Sequence, residues 1–257
     1  MAEKMRSRKG QIAIWVILAV VLVGAILLFA FVERKPLSGG QEVIEIDSYI
    51  EKCVSQSVNE AVEIMLPQGG FLAPKNFKVY NDTNISYLCL HSGYFKPCVN
   101  QHPMLVNEMS SEIKGYIKPR VESCFDAISE EIKNRNGELT LGEMSFNVSM
   151  APEKIFVNIK REAKITMQGQ TVTFGKFDVE VANPAYNLAN VAMEIADNEA
   201  KYCAFLANGY MLLYPRWDIR VNTMSDSTKI YYIKDKNSGK RMSIAIRSCA
   251  MPAGMGI

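Results

Sequence analysis

The sequence lacks the motifs that mark the best-known hydrolase, nucleotide-binding and metalloprotease sites. It contains no G-x-S-x-G, no P-loop, no G-x-G-x-x-G and no H-E-x-x-H. It has only two histidines, His91 and His102, so a Ser/His/Asp triad would have to use one of them. We therefore expect a non-enzymatic protein without a cofactor.

An excess of charge of one sign is also missing. The 29 Lys and Arg residues nearly balance the 27 Asp and Glu residues, which gives a net charge of +2. Several of the cations lie in the first ten residues, so the remainder of the chain is close to neutral. Because nucleic-acid-binding domains carry a basic patch or stripe, no nucleic-acid partner is expected.

One long stretch has no charge at all. Residues 12–32, a run of 21 with the sequence IAIWVILAVVLVGAILLFAFV, contain neither a charged residue nor a proline. A helix of that length reaches about 30 Å, the thickness of the hydrocarbon core of a bilayer. We predict a transmembrane helix over residues 11–32, with the lipid bilayer as its partner.

The flanks of this stretch set its orientation. More cations precede it than follow it, and such an excess marks the cytoplasmic side. Residues 1–10 are therefore predicted to be a cytoplasmic basic leader, and the C-terminal domain to be extracellular. The alternative is a cleaved secretory signal peptide. Its apolar part is typically about 7–15 residues long and ends at an A-x-A-like site, which is missing after Val32.

The start of the stretch carries a second motif. Arg8-Lys9-Gly10-Gln11-Ile12 runs directly into the apolar residues. This start resembles the class III leader of archaeal type IV pilin-like proteins and archaellins. The resemblance implies cleavage after Gly10, which leaves Gln11 as the N-terminus, and a helix that stays in the membrane or packs with other filament subunits. Bacterial members of that family have a glutamate where this chain has Trp15.

The chain as a whole resembles single-pass archaeal membrane proteins that join a K-G-Q leader to a cysteine-containing ectodomain. The features that carry this resemblance are the leader, a helix that ends in the sequence QGGF, and a strand-rich second half. It implies a location at the cell membrane and no activity.

Residues 33–41 are predicted to be a linker, and residues 42–257 one folded domain. The linker contains Pro36 and a glycine pair. Apolar residues recur at helical spacing in three segments of the domain, at 50–65, 105–132 and about 185–206. Pro119 should kink or divide the second of these helices.

Between the helices the apolar period changes to two. Residues 139–181 alternate in this way between turn signals, which predicts an antiparallel meander with one buried face. Further strands are predicted near 77–80, 217–223, 229–234 and 242–247, and residues 71–103 otherwise form an irregular surface excursion. The predicted fold class is α+β, with amphipathic helices packed on the meander.

The six cysteines are predicted to form three disulfides, because an even number outside the cytoplasm favours bridges. Six cysteines allow 15 pairings. The predicted pairs are Cys53–Cys124, Cys89–Cys98 and Cys203–Cys249. The first pair joins two apolar helix faces, the second flanks a short segment, and the third follows from the other two. The alternative is that some of the six are buried free thiols.

A zinc site is the competing interpretation of the middle cysteines. The thiols of Cys89 and Cys98 and the imidazoles of His91 and His102 lie within 14 residues and could supply four ligands. Their spacing differs from the common zinc-finger arrangement, and a disulfide would remove half of the ligands. We therefore predict no metal.

Three carboxylates and five aromatic residues are further candidates for a site. Glu194, Asp197 and Glu199 lie on one predicted helix and could form an acid–base pair, although a solvated helical face explains them equally well. The aromatic residues could line a binding groove, with core packing as the alternative. They are Tyr202, Phe205, Tyr210, Tyr214 and Trp217.

Three sequons make glycosylation possible on an external domain. Their acceptor residues are Asn81, Asn84 and Asn147. From the sequence alone, the preferred function is a non-enzymatic surface protein, pilin-like or otherwise structural. A ligand-binding or sensory ectodomain is the alternative, and an extracellular hydrolase is third.

Overall fold

The structure, a computed structural model, describes residues 20–24 and 46–252. The chain divides into two compact units, Met1–Glu45 and Ile46–Ile257. Only residues 20–24 of the first unit are described, and they are helical. The leader, the linker and most of the predicted transmembrane helix lie outside the described residues. Among the residues that are described, no helix combines the length and the apolarity needed to cross a membrane.

The second unit is an α+β domain, as the sequence predicts. Its helices are α1 (Ile46–Met65), α2 (Leu105–Asn134), α3 (Ala185–Tyr202) and α4 (Ala207–Leu213), with a 3₁₀ turn at Leu66–Gln68. Its strands are β1 (Phe77–Tyr80), β2 (Thr83–Leu90), β3 (Val99–Asn100), β4 (Glu138–Leu141), β5 (Ser145–Ala151), β6 (Lys154–Met167), β7 (Gln170–Ala182), β8 (Trp217–Thr223), β9 (Lys229–Asp235) and β10 (Arg241–Arg247).

Helices α1 and α2 form because each repeats apolar residues every three or four positions. In α1 these residues make a buried stripe from Ile50 to Met65, and α2 has the same kind of stripe from Leu105 to Ile132. The two helices pack on each other, and α1 also packs on β7. Pro119 was predicted to kink or divide this helix, and it does not divide it, because α2 runs through Pro119. Pro119 is exposed while the apolar stripe continues on both sides of it, and packing of that stripe holds the helix together.

The strands form two sheets, whereas the sequence predicted one meander and several further strands without a sheet arrangement for them. The first sheet has six strands in the order β1-β2-β10-β9-β8, with β3 on β2. Its β2–β10 pair is parallel and its other pairs are antiparallel. In the second sheet β4 and β5 both pair with β6, and β7 pairs with β6 along its other edge. This second sheet is the predicted antiparallel meander.

Strand β2 is absent from the sequence-based prediction, which treated residues 71–103 as mostly irregular. Five consecutive residues of β2, from Ile85 to Cys89, are buried. A strand covered on both faces shows no alternation of apolar and polar residues, so its period of two is hidden. Helix α3 packs against one face of the sheet at β2, β10 and β9.

A tight turn after α1 brings the chain back against β2 and the start of α2. Gly69 and Gly70 have φ angles of 79° and 93°, which residues other than glycine rarely adopt. A Cβ at Gly69 would lie 2.9 Å from the Cβ of Ser86, and a Cβ at Gly70 would lie 3.0 Å from the Met109 side chain. The glycines therefore permit the close approach that forms one wall of the pocket described below.

Candidate functional site

The six cysteines form the three predicted pairs. Their Cα–Cα distances are 6.3 Å for Cys53–Cys124, 5.4 Å for Cys89–Cys98 and 5.6 Å for Cys203–Cys249. The first bridge joins α1 to α2, and no cysteine is free. The alternative that some are free thiols is therefore wrong for this fold.

The zinc alternative fails for the same reason. Cys89 and Cys98 bond to each other, which removes both thiolates from the four-ligand set. His91 accepts a hydrogen bond at Nδ1 from the backbone N–H of Gly93 at 2.8 Å. The Nδ1 atom of His102 is 2.6 Å from the carboxylate of Glu108. Within the described part of the chain, no group of three or more His, Cys, Asp or Glu side chains is placed to hold a metal ion.

The three carboxylates of α3 bind different partners and do not form an acid–base pair. Glu194 accepts a hydrogen bond from the hydroxyl of Tyr210 at 3.0 Å, and Asp197 accepts one from the amide of Asn100 at 2.7 Å. Both lie at the exposed surface. Glu199 is fully buried, contrary to the expectation of a solvated helical face.

Glu199 forms a closed polar cluster with two residues of β9. Both of its oxygens accept hydrogen bonds from the Lys229 ammonium at 2.8 Å, and one also accepts from the Tyr231 hydroxyl. The same ammonium donates to the backbone carbonyl of Cys203 at 2.8 Å. Burial and the hydrogen bond to Glu199 raise the pKa of Tyr231 well above its usual range. We call Glu199, Lys229 and Tyr231 the Glu199 cluster.

The five aromatic residues considered for a groove are placed in three surroundings. Phe205, Tyr210 and Tyr214 pack on one another as tilted rings in and beside α4, with centroid distances of 5.3 and 4.7 Å. Tyr202 is exposed. Trp217 is buried beneath the guanidinium of Arg216. None of these five residues lines the pocket described next.

That pocket lies between the glycine turn, β2 and the first two turns of α2, with a volume of about 640 Å³. We call it the Phe71 pocket. Its apolar lining is Phe71, Ala73, Pro103 and Met104. Its polar lining is Lys75, Asn76, Ser86, Gln101, His102, Asn107, Glu108, Ser111 and Glu112.

Several polar groups of the Phe71 pocket are already bonded within the protein. The imidazole of His102 pairs with Glu108 and packs on the ring of Phe71, with centroids 4.5 Å apart. Glu112 accepts a hydrogen bond from the backbone N–H of Leu72 at 3.0 Å, which holds the turn on α2. The pocket is thus fixed by contacts between its own walls.

Other polar groups of the pocket have no bond within the protein. Ser86 is 1% exposed, and its hydroxyl makes no hydrogen bond to any residue that the structure describes. In the same part of the chain, Lys75 makes no ion pair, and the side-chain amides of Asn76 and Asn107 make no hydrogen bond. These four side chains lie free on the pocket wall.

Among the residues of the Phe71 pocket, the sequence singled out His102 as a possible functional residue, in a zinc set that was the alternative to the predicted disulfide and in a possible triad. The QGGF segment is the sequence feature that could have indicated the pocket, because paired glycines before an aromatic residue mark a turn of unusual geometry. The three sequon residues, Asn81, Asn84 and Asn147, are all exposed. No family model matches this chain, and no match was found among curated proteins or solved structures.

Proposed function

We propose that this protein is held in the cell membrane by residues 11–32 and displays its α+β domain as a non-enzymatic surface protein on the outer side. The N-terminus is cytoplasmic and the C-terminal domain is extracellular. The observation that carries the proposal is that all six cysteines pair as disulfides. Bridges of this kind persist in oxidising surroundings and are rare in the cytosol.

The sequence before the domain supports the same location. A run of 21 uncharged residues follows a basic start and is long enough to span a bilayer. We propose further that the leader is processed after Gly10, so that Gln11 begins the mature chain. In that form the apolar helix could pack with other membrane or filament subunits, as the resemblance to archaeal pilin-like proteins implies. The exposed sequons at Asn81, Asn84 and Asn147 are available for glycans on that side.

The test is the membrane association and the N-terminus of the protein isolated from its own cells. We expect the full chain to stay with the membrane fraction after an alkaline carbonate wash, and mass spectrometry to show an N-terminus at Gln11. A Gly10→Val variant should keep Met1 and remain in the membrane. Protein that washes off the membrane, or that reacts with a thiol reagent before reduction, would contradict the proposal.

A ligand-binding ectodomain is the second candidate function, and the Phe71 pocket favours it. Small-molecule sites are concave, enclose about 300–1,000 Å³ and combine apolar walls with a few convergent polar groups. The Phe71 pocket has the volume, an apolar wall and four free polar side chains. The two functions are compatible, since a displayed domain can also bind a ligand. For a hydrolase, the carboxylates of α3 were candidates for an acid–base pair, and each of them bonds to a different partner.

A further inference from the structure

We propose that the Phe71 pocket binds a neutral, hydroxyl-rich ligand of the saccharide class. The proposal deepens the second candidate function and does not depend on the membrane anchor. It follows from the free hydroxyl on the pocket wall, from the charges of both signs on its walls and from the chemistry of the unbonded groups.

The hydroxyl of Ser86 indicates that the pocket is built for a polar occupant. Its oxygen is not sealed from solvent but opens on the pocket, so only water or a ligand in the pocket is left to bond to it. Ser86 lies at the centre of β2, directly against the glycine turn, and lines the pocket. A ligand hydroxyl could both donate to it and accept from it.

The walls carry charges of both signs, so a strongly charged ligand would meet repulsion as well as attraction. The lining carries the carboxylates of Glu108 and Glu112 and the ammonium of Lys75, together with His102. An anion would lie near two carboxylates, and a cation would lie near an ammonium that has no counter-ion among the described residues. A neutral ligand meets neither repulsion.

The unbonded groups offer donors and acceptors together. Each side-chain amide of Asn76 and Asn107 has two N–H donors and a carbonyl acceptor, while Lys75 only donates. The carboxylates of Glu108 and Glu112 have remaining lone pairs beside their existing bonds. Sugar hydroxyls donate and accept in the same way, so a ring with several hydroxyls can satisfy both kinds of group.

The apolar lining completes the match. Phe71, Pro103 and Met104 line the same pocket as the polar groups, and the side chain of Met104 is largely exposed. A sugar ring has an apolar C–H face and a polar rim, so one face can pack on such a wall while the rim bonds to the amides. A purely apolar ligand would leave Ser86, Asn76 and Asn107 unbonded.

The experiment is saturation-transfer NMR on the full chain in nanodiscs. The probes are glucose, galactose, mannose, N-acetylglucosamine, maltose and maltoheptaose, each at about 10 mM, with sodium citrate, sodium phosphate and spermidine as charged probes. We expect saturation transfer to at least one sugar and none to the charged probes. A signal from the monosaccharides indicates a free sugar, and a signal from maltoheptaose alone indicates the end of a longer glycan.

Two variants and a matched control locate the binding. Asn76→Ala with Asn107→Ala should weaken sugar binding at least tenfold, and Ser111→Trp should block it by filling the pocket. All three positions are exposed, so the fold should be retained. Asn208→Ala, an exposed asparagine on α4 outside the pocket, should bind as the parent does.

Other results would overturn the proposal. No saturation transfer to any sugar, a preference for citrate, phosphate or spermidine, or sugar binding that survives Ser111→Trp would each refute it. The anchor proposal has its own readout, the carbonate wash, so either proposal can fail while the other stands.

Discussion

The polar groups of the Glu199 cluster are bonded within the protein, whereas several polar groups of the Phe71 pocket are not. In the cluster, each oxygen of Glu199 and the ammonium of Lys229 has a bonding partner within the protein. In the pocket, the hydroxyl of Ser86 opens on the pocket space and has no partner among the described residues. A satisfied cluster contributes to the stability of one fold, whereas an unsatisfied wall leaves bonding capacity for a ligand.

The same distinction separates a second closed cluster from the pocket. The guanidinium of Arg216 donates two hydrogen bonds of 2.8 Å to the carboxylate of Asp235, which is buried. Ser238 also donates to this carboxylate, at 2.7 Å. A paired Arg–carboxylate fork of this kind is among the stronger polar contacts in proteins. If the distinction is correct, substitutions in the two clusters should lower the free energy of unfolding strongly, and substitutions in the pocket should hardly change it.

The largest effect is expected for Lys229→Ala. This change leaves the carboxylate of Glu199 buried without its cation, and breaking a buried pair in this way typically costs about 3–5 kcal/mol. The free energy of unfolding should fall by that amount in urea denaturation. Lys154→Ala, which removes an exposed pair with Glu180, should change it by less than about 1 kcal/mol.

A double variant tests whether the cost comes from the orphaned charge. Glu199→Leu with Lys229→Met removes both charges, so it should be less destabilising than Lys229→Ala alone. If the double variant is the less stable of the two, the hydrogen bonds of the cluster outweigh the charge, and the orphaned carboxylate is not the main source of the cost.

Acid should weaken the second closed cluster by a smaller amount. The hydrogen bonds from Arg216 lower the pKa of Asp235 to about 2 in the folded state. The unfolded chain, with an ordinary pKa near 3.9, binds this proton first as the pH falls. The contribution of Asp235 to stability is therefore fully present above about pH 4 and lost towards pH 2, with a total of about 2 kcal/mol.

Denaturation midpoints between pH 2 and pH 6 measure this loss. Asp235→Asn removes the titrating group, so this variant should be less stable at pH 6 and should lose less stability between pH 4 and pH 2. An equal acid dependence of the parent and the variant would assign the effect to other carboxylates.

The features that the sequence predicted well are those set by local periodicity. The stripes of α1 and α2 repeat every three or four residues, so their buried faces were evident from the sequence. Cys53 and Cys124 lie within those stripes, and a bridge between them followed from packing the two faces together. The alternation that defines β5, β6 and the later part of β7 was equally visible.

The features that were missed depend on contacts between distant parts of the chain. Glu199 looked like part of a solvated helical face, because nothing near it in the sequence shows that β9 will cover it with Lys229 and Tyr231. The same limit applies to β2, whose buried residues show no period. The walls of the Phe71 pocket come from a turn, a strand and a helix, and only the fold brings these three segments together.

The smallest effect is expected in the pocket, and it gives the sharpest test of the comparison. Ser86→Ala removes a hydroxyl that opens on the pocket and has no partner among the described residues, so the free energy of unfolding should change by less than about 0.5 kcal/mol. Ser248→Ala is the matched control, since Ser248 is also buried. Its hydroxyl accepts from the N–H of Cys98 at 3.1 Å and donates to the carbonyl of Glu199 at 2.8 Å. That change leaves the N–H of Cys98 unpaired, while the carbonyl of Glu199 keeps its bond from the N–H of Cys203, so it should cost about 1–3 kcal/mol. Equal costs for the two alanine variants in urea denaturation would mean that Ser86 is bonded in solution. The hydroxyl of Ser86 would then not be free to bind a ligand in the pocket.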